Sequence, residues 1–283
     1  MKQKNLIISI IILTLIYLLI VSMNKPKIFS NTPFTRFIDI KKIKQIKIKD
    51  NSNETLLEKK DNKWYLTYPY NYRADDIEIE NIINRIATSK LFGPLTQNRE
   101  LYKRFEIYPE TSTYIEIFSD KKVSFVTGKA TSDMSGTFIK FGDNDSIYEA
   151  KGIFPFDFKK KSDDLIYKNI MEFKENEINS ILVKYNDKEL MDSKSDNKWL
   201  KNYSQNIIDI LKLIRFSKIE KINNTVGKTS LEITLKSSYG EEKIYFKKEK
   251  FYLAFKNNYK LNLDEPNSKK IDEIINQVKR ASR

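Results

Sequence analysis

Three acidic clusters have the residue types and spacing to do chemistry: Asp75-Asp76, Asp163-Asp164, and Asp143 and Asp145 around Asn144. Two carboxyl groups can divide acid and base roles when their surroundings push their pKa values apart. Asp75 and Asp163 are the candidates for such work, in a carboxylate-dependent hydrolase. Each cluster also has a structural reading, and that reading is favoured. Asp75 and Asp76 open a helix, where acids cap backbone N–H groups and complement the helix dipole. Asp163-Asp164 follows Lys159-Lys160-Lys161 in a polar linker, and Asp143 and Asp145 sit in a hairpin turn. Asp-x-Asp can also bind calcium, but the other ligands of a calcium loop are missing. The sequence therefore names no catalytic, cofactor-binding or metal-binding residue.

The chain contains no histidine and no cysteine. That excludes histidine-based triads, Cys/His zinc sites, thiol chemistry, disulfides and lipidation on cysteine. Val226-Gly227-Lys228-Thr229-Ser230 looks like the tail of a phosphate-binding loop. Ile222 stands where that loop needs glycine, and Leu231 to Leu235 reads as a strand where it needs a helix. Gly128-Lys129 ends a strand and reads as a turn. Tyr65, Tyr68, Tyr70 and Tyr72 could form a carbohydrate-stacking platform. Packing on a twisted strand is the favoured reading, since aromatics are common strand residues.

The elements that would position these residues occur twice. Asp61-Asn62-Lys63-Trp64 recurs as Asp196-Asn197-Lys198-Trp199, an offset of 135 residues. Ile43, Ile46 and Ile48 fall on Ile178, Ile181 and Val183 at the same offset, and Trp64 and Trp199 are the two tryptophans of the chain. The pattern predicts an internal duplication marked by these tryptophans. In copy one, Lys42 to Lys49, Glu54 to Lys60 and Trp64 to Leu66 read as an antiparallel meander. A helix follows, capped at Ala74-Asp75, with Ile79, Ile82, Ile83 and Ile86 as its apolar stripe. Further strands are predicted at Tyr114 to Phe118, Val123 to Val126, Phe138 to Phe141 and Ile147 to Glu149. Copy two repeats this with strands from Ile178, Glu189 and Trp199. Its helix is capped by Ser204, with Ile207, Ile208, Leu211 and Ile214 inward. Strands then follow at Leu231 to Leu235, Ile244 to Phe246, Tyr252 to Phe255 and Leu261 to Leu263. Copy two lacks the connector Leu91 to Tyr108 and part of the loop from Gly128 to Gly136. Lys269 to Lys279 closes the chain as a helix.

The expected class is α+β: an N-terminal transmembrane helix, then two tandem repeats of antiparallel β-meander, helix and β-meander. The expected divisions are 1–24 for the head and anchor, 40–158 for the first repeat, 159–177 for a linker, and 178–283 for the second, shortened repeat. The anchor rests on Leu6 to Met23, which holds no charged residue. A spanning helix needs about 20 such residues. The exit Val21-Ser22-Met23-Asn24 offers no A-x-A-like cleavage site, so the anchor is expected to be retained. Lysines flank both ends, so the charge rule votes weakly, and the body is placed outside the cytoplasmic membrane. The formal charge is +13 over 283 residues. Lysines interleaved with acids throughout make this a dispersed charge, and nucleic acid is not an expected partner.

The hairpin ending in Asp-Asn-Lys-Trp, then Trp64-Tyr65-Leu66 leading to Pro69 and an Asp-initiated helix, resembles the domain-of-unknown-function 4340 (DUF4340) family. The Val123–Lys129 strand, Phe138–Phe141, Ser146-Ile147-Tyr148 and the linker Asp164-Leu165-Ile166-Tyr167-Lys168 also resemble it. The likeness covers most of residues 40 to 265. It implies a single-anchor envelope protein that accompanies ABC-2-type transporter subunits, and it carries no catalytic residue. The expected function is a non-catalytic accessory or interaction component of an ABC-2-type export system. Its partners would be the lipid bilayer and a permease or ATPase complex. The alternative is a carboxylate-dependent envelope hydrolase or a glycan-binding protein.

Overall fold

The computed structural model describes residues 10–18, 29–142, 144–222 and 229–282. They form a mixed α+β protein built mostly from antiparallel sheets, and the chain divides into two compact units between Ile166 and Tyr167. Residues 10–18 form helix α1, with Thr14 Oγ1 donating to the Ile10 carbonyl at 2.8 Å. The remainder of the expected anchor, residues 6–9 and 19–23, lies outside the described residues. Among the described residues no helix is long and apolar enough to cross a membrane.

The first unit holds β1 (Phe29–Pro33), β2 (Gln45–Lys49), β3 (Glu54–Lys60), β4 (Lys63–Tyr68), β5 (Tyr72–Arg73), α2 (Asp76–Thr88), β6 (Lys90–Thr96) and α3 (Tyr102–Phe105). It continues with β7 (Thr113–Phe118), β8 (Lys122–Ala130), β9 (Gly136–Phe141), β10 (Ile147–Lys151) and α4 (Pro155–Phe158). Its strands make one sheet in the order β1-β6-β10-β9-β8-β7-β2-β3-β4-β5. Alternation sets the two faces. Ile46, Ile48, Ile115, Ile117, Phe125 and Ile139 turn inward and are fully buried, whereas Lys47, Tyr114, Glu116, Val126 and Lys140 occupy the alternate positions. The inner face carries a ring cluster, with Phe34 5.2 Å and Phe158 6.0 Å from Phe125. Ile79, Ile82, Ile83 and Ile86 of α2 are buried, as the helical spacing predicts.

The second unit holds β11 (Ile178–Tyr185), β12 (Lys188–Ser195), β13 (Lys198–Trp199), α5 (Asn202–Lys212), β14 (Lys218–Lys221) and β15 (Leu231–Ser237). It ends with β16 (Gly240–Lys248), β17 (Tyr252–Lys256), β18 (Tyr259–Asn262) and α6 (Glu265–Ala281). Its sheet order is β13-β12-β11-β15-β16-β17-β18-β14. α6 buries Ile271, Ile274, Ile275 and Val278.

Turn chemistry explains the short hairpins. Asp61 and Asn62 have φ of 48° and 60°, and Asp196 and Asn197 have 51° and 62°. Two successive left-handed residues make the tight turn that suits strand twist, and Asp and Asn tolerate that region better than other side chains.

Several local expectations change. Residues Ile40–Lys42 form a 3-10 turn, so the strand expected from Lys42 starts at Gln45, and a strand not expected from the sequence, β1, precedes it. The Leu91 to Tyr108 stretch is not a plain connector, because it contains β6 and α3. Gly93-Pro94 inside β6 masks the strand signal, and the resulting irregularity shows as register shifts against β1 and β10. Gly128-Lys129 lies within β8 rather than in a turn, at a bulge between Thr127 and Ala130. Ser204 does not cap α5, which begins earlier, at Asn202. Its buried hydroxyl instead donates to Asp192 Oδ2 at 2.6 Å. The same carboxylate accepts from Lys201 N at 3.0 Å and so fixes the helix start from β12.

Candidate functional site

The acidic clusters resolve into structural parts. Asp75 caps α2, with Oδ1 accepting from Ile77 N at 3.0 Å. Asp76 accepts from Trp64 N at 2.9 Å and from the Arg73 guanidinium at 2.5 Å, tying the helix start to β4. Asp163 and Asp164 lie in a 3-10 turn, and Asp143 lies outside the described residues. So does most of the phosphate-loop look-alike, which runs directly into β15. Among the described residues no cluster of Asp and Glu could hold a metal ion. Trp64 on β4 is 1% exposed, whereas Trp199 on β13 is half-buried. The tyrosines after Trp64 do not form one platform. Tyr72 is buried, Tyr65 and Tyr70 are half-buried, and Tyr68 is exposed.

The structure instead makes a cleft of about 580 Å³ on the outer face of the first sheet. Its floor comes from strand register. Lys49 pairs with Tyr114, Tyr114 with Val126, and Val126 with Lys140. Residues that pair directly share a face. The result is a straight row across β2, β7, β8 and β9, with an aromatic and an aliphatic side chain between two lysines. Strands lie about 4.8 Å apart, so the outer Cα atoms of this row are about 14 Å apart.

The segment between β6 and β7 supplies the roof, with Tyr102, Ile107, Tyr108 and Ser112 among the lining residues. Three features hold it down. The Tyr102 hydroxyl donates to the Asp145 carbonyl at 2.8 Å. The Phe105 ring meets Phe138 edge-on at 4.7 Å. Gly128 lets the backbone come close, since a Cβ there would lie 2.0 Å from the Phe105 carbonyl oxygen. The turn at the end of α3 needs Glu106 in the left-handed region, at φ 57°.

The charges around the cleft are organised. Asp145 accepts from Arg99 at 2.5 and 3.0 Å, and that hydrogen bond holds its carboxyl below the usual range. Burial, with Asp145 nearby, pushes the Tyr102 phenol up to about 12. Burial also raises Tyr114, which donates to Glu116 at 2.5 Å. Both phenols are neutral donors at ordinary pH. Lys140 Nζ donates to the Asn144 and Phe141 carbonyls at 3.0 and 3.2 Å, and Lys49 pairs with Glu54 at 3.2 Å. Asp50 accepts from Ser52 N and Asn53 N at 2.8 Å each, closing the β2–β3 turn. The arrangement can grip an apolar surface between two cationic groups.

Sequence reasoning missed this site. Its floor residues are spread from position 49 to 140, and each looks like an ordinary strand residue. The usable signal was the extra length between α2 and β7, which the repeat comparison had already exposed.

Neither the curated proteins nor the solved structures give a match to this chain. Residues 64–282 match the family described as Domain of unknown function (DUF4340), and the chain belongs to that family.

Proposed function

We propose that this protein is a non-catalytic interaction module, held at the extracytoplasmic face of the membrane by its apolar segment Leu6 to Met23. Its partner is the permease or ATPase complex of an ABC-2-type export system, and its body is a tandem repeat. The observation that carries binding over turnover is the cleft, where the nearby carboxylates already serve structure. The Asp145 carboxylate accepts from Arg99 and, at 3.3 Å, from the Tyr102 hydroxyl, and Asp50 closes a turn.

The repeat reading is supported by topology. In the first sheet β6-β10-β9-β8-β7-β2-β3-β4 run in order, and β14-β18-β17-β16-β15-β11-β12-β13 run in the corresponding order in the second. Each series begins with the strand after the helix; the second ends with the strand before its helix, and the first ends at β4, with β5 added between β4 and α2. Lys59 pairs across strands with Trp64, and Lys194 with Trp199, each ammonium over the indole at 5.8 and 5.1 Å. A repeated lysine–tryptophan pair favours duplication over chance likeness.

The test is affinity purification of the tagged full chain from detergent-solubilised membranes. An ABC-2-type permease or ATPase is expected to co-purify. A reporter active only outside the cytoplasm, fused after Arg283, is expected to be active. A silent reporter or a mature N-terminus beyond Met23 overturns the placement. Turnover of an envelope glycan that is lost in a folded Asp75→Asn or Asp163→Asn variant overturns the non-catalytic reading.

A further inference from the structure

We propose that the cleft on the first sheet binds a short segment of an acidic glycan, through the faces of Tyr114, Tyr102 and Tyr108 and the ammonium groups of Lys140 and Lys49. This rests on reading the cleft as a binding site and names the chemistry of its occupant.

The shape comes first. Ligand pockets run to about 300–1,000 Å³, and this cleft of about 580 Å³ is of that order. Its floor is the middle of a sheet, flanked by β3 and β10, so no free strand edge is offered there. An extended peptide would gain its main affinity by pairing with such an edge. A sugar ring needs no edge. It presents a C–H face to an aromatic or aliphatic surface and a rim of hydroxyls to polar groups. Tyr114 and Val126 provide the first, and both are half-buried with surface exposed. The phenols and the Ser112 hydroxyl provide the second, since tyrosine combines an apolar body with a polar tip.

The charge follows from the two ends of the row. Lys140 is fixed in place by its bonds to the Phe141 and Asn144 carbonyls. A carboxylate or phosphate there would form a charge-assisted bond with an ammonium that is already oriented. Arg99 takes up Asp145 close by, which limits the competition from that carboxylate. Lys49 marks the opposite end, where Glu54 at 3.2 Å takes up part of its charge, so Lys140 is the stronger of the two cations that an acidic occupant meets across the apolar floor. A neutral sugar would use the floor alone.

Titration calorimetry of the full chain in detergent micelles tests this, with trigalacturonate as the acidic probe and maltotriose as the neutral one. At about 50 mM salt, where exposed charges are only partly screened, trigalacturonate is expected to bind roughly tenfold tighter, the scale of one charge-assisted bond. The preference should shrink as salt is raised. Lys140→Gln should remove most of the preference and Lys140→Arg should restore most of it, while Lys49→Gln, at a cation already shared with Glu54, should reduce it by a smaller, measurable amount. Tyr114→Ala should weaken both sugars, whereas Tyr114→Phe should retain them. The Lys49 variant keeps the test decisive if Lys140→Gln disturbs the Phe141–Asn144 turn. Equal affinity for the two sugars, or no binding of either by the folded chain, overturns the proposal. Tighter binding of an acidic peptide or of oligothymidylate overturns the glycan class and leaves the cleft as a binding site. Co-purification with an export complex is independent of all these results.

Discussion

Lys256 on β17 is the most consequential single charge in the second unit, and its removal should cost more than any surface substitution. Its side chain is 2% exposed, with Nζ 2.6 Å from Glu242 and 2.7 Å from Glu172. It also donates to the Ile170 carbonyl at 3.2 Å. Glu242 on β16 accepts from Glu172 N at 3.0 Å and from Phe173 N at 3.2 Å. The cluster therefore fastens the segment before β11 to the sheet. Lys256→Met leaves Glu242 buried and without its counter-charge, which costs about 3–5 kcal/mol. A typical domain has only about 5–15 kcal/mol in total. With a urea slope of about 2 kcal/mol per molar, the unfolding midpoint falls by about 1.5–2.5 M. Trp199 is the tryptophan of this unit, so its fluorescence in a Trp64→Phe background follows the unit alone. The double variant with Glu242→Gln keeps an acceptor for both N–H groups and removes the stranded charge. It should recover about 0.5–3 kcal/mol relative to additivity. A midpoint shift below about 0.5 M for Lys256→Met, or a strictly additive double variant, would refute the reasoning.

Trp64→Ala should destabilise the first unit by about 3–5 kcal/mol, and Trp199→Ala the second by roughly 1–2 kcal/mol, because Trp199 is only half-buried. Equal losses in denaturant titrations would contradict this. Gly128→Val should lift the cleft roof, since its Cβ would meet the Phe105 carbonyl, at a cost of about 1–3 kcal/mol. Limited proteolysis between residues 97 and 112 should accelerate in that variant and not in Gly240→Ala, which strains a turn at φ 140° in the other unit. Melting temperature should be flat from weakly acid to weakly alkaline pH, because the chain has no histidine. Below that the sign is fixed. Hydrogen bonds from Lys260 and Lys218 pull Glu220 down from 4.5 to about 2, so the stability it contributes is present above its unfolded value and lost as pH falls towards 2. Glu220→Gln should flatten part of that acid limb, and an unchanged limb would count against the pairing.

Local patterns were legible where one element carried the whole signal. The isoleucine stripe of α2, the alternation in β2 and the Asp-Asn turns each depend on residues a few positions apart. The tetrapeptide ending in tryptophan was enough to suggest a duplication. What failed depended on partners distant in sequence. Ser204 looks like a cap in its own segment, and only the approach of Asp192 from β12 gives its hydroxyl another acceptor. Gly128 looks like a turn until the roof is laid against it. β6 is written with Gly93-Pro94, which argues against a strand locally, and it forms because β1 and β10 pair on either side. The cleft had no local signature, because register joined Lys49, Tyr114, Val126 and Lys140.

The excess positive charge has the same lesson in it. Several lysines sit opposite or beside acids on the strand faces, among them Lys47 with Glu54, Lys184 with Glu189 and Lys243 with Glu241. Such exposed pairs contribute little stability and are screened by salt. At those positions the acid takes up much of the positive charge. Net charge alone therefore says little about the partner. Lys140 differs in its setting, with its ammonium resting on two backbone carbonyls at the end of an aromatic floor and beside an acid that Arg99 has engaged. A cation oriented by dipoles keeps its charge available to a ligand, while a cation in a cross-strand pair has already spent much of it. By that criterion the basic group that bears on function is chosen by its neighbours, and the composition of the chain is only the background against which it stands.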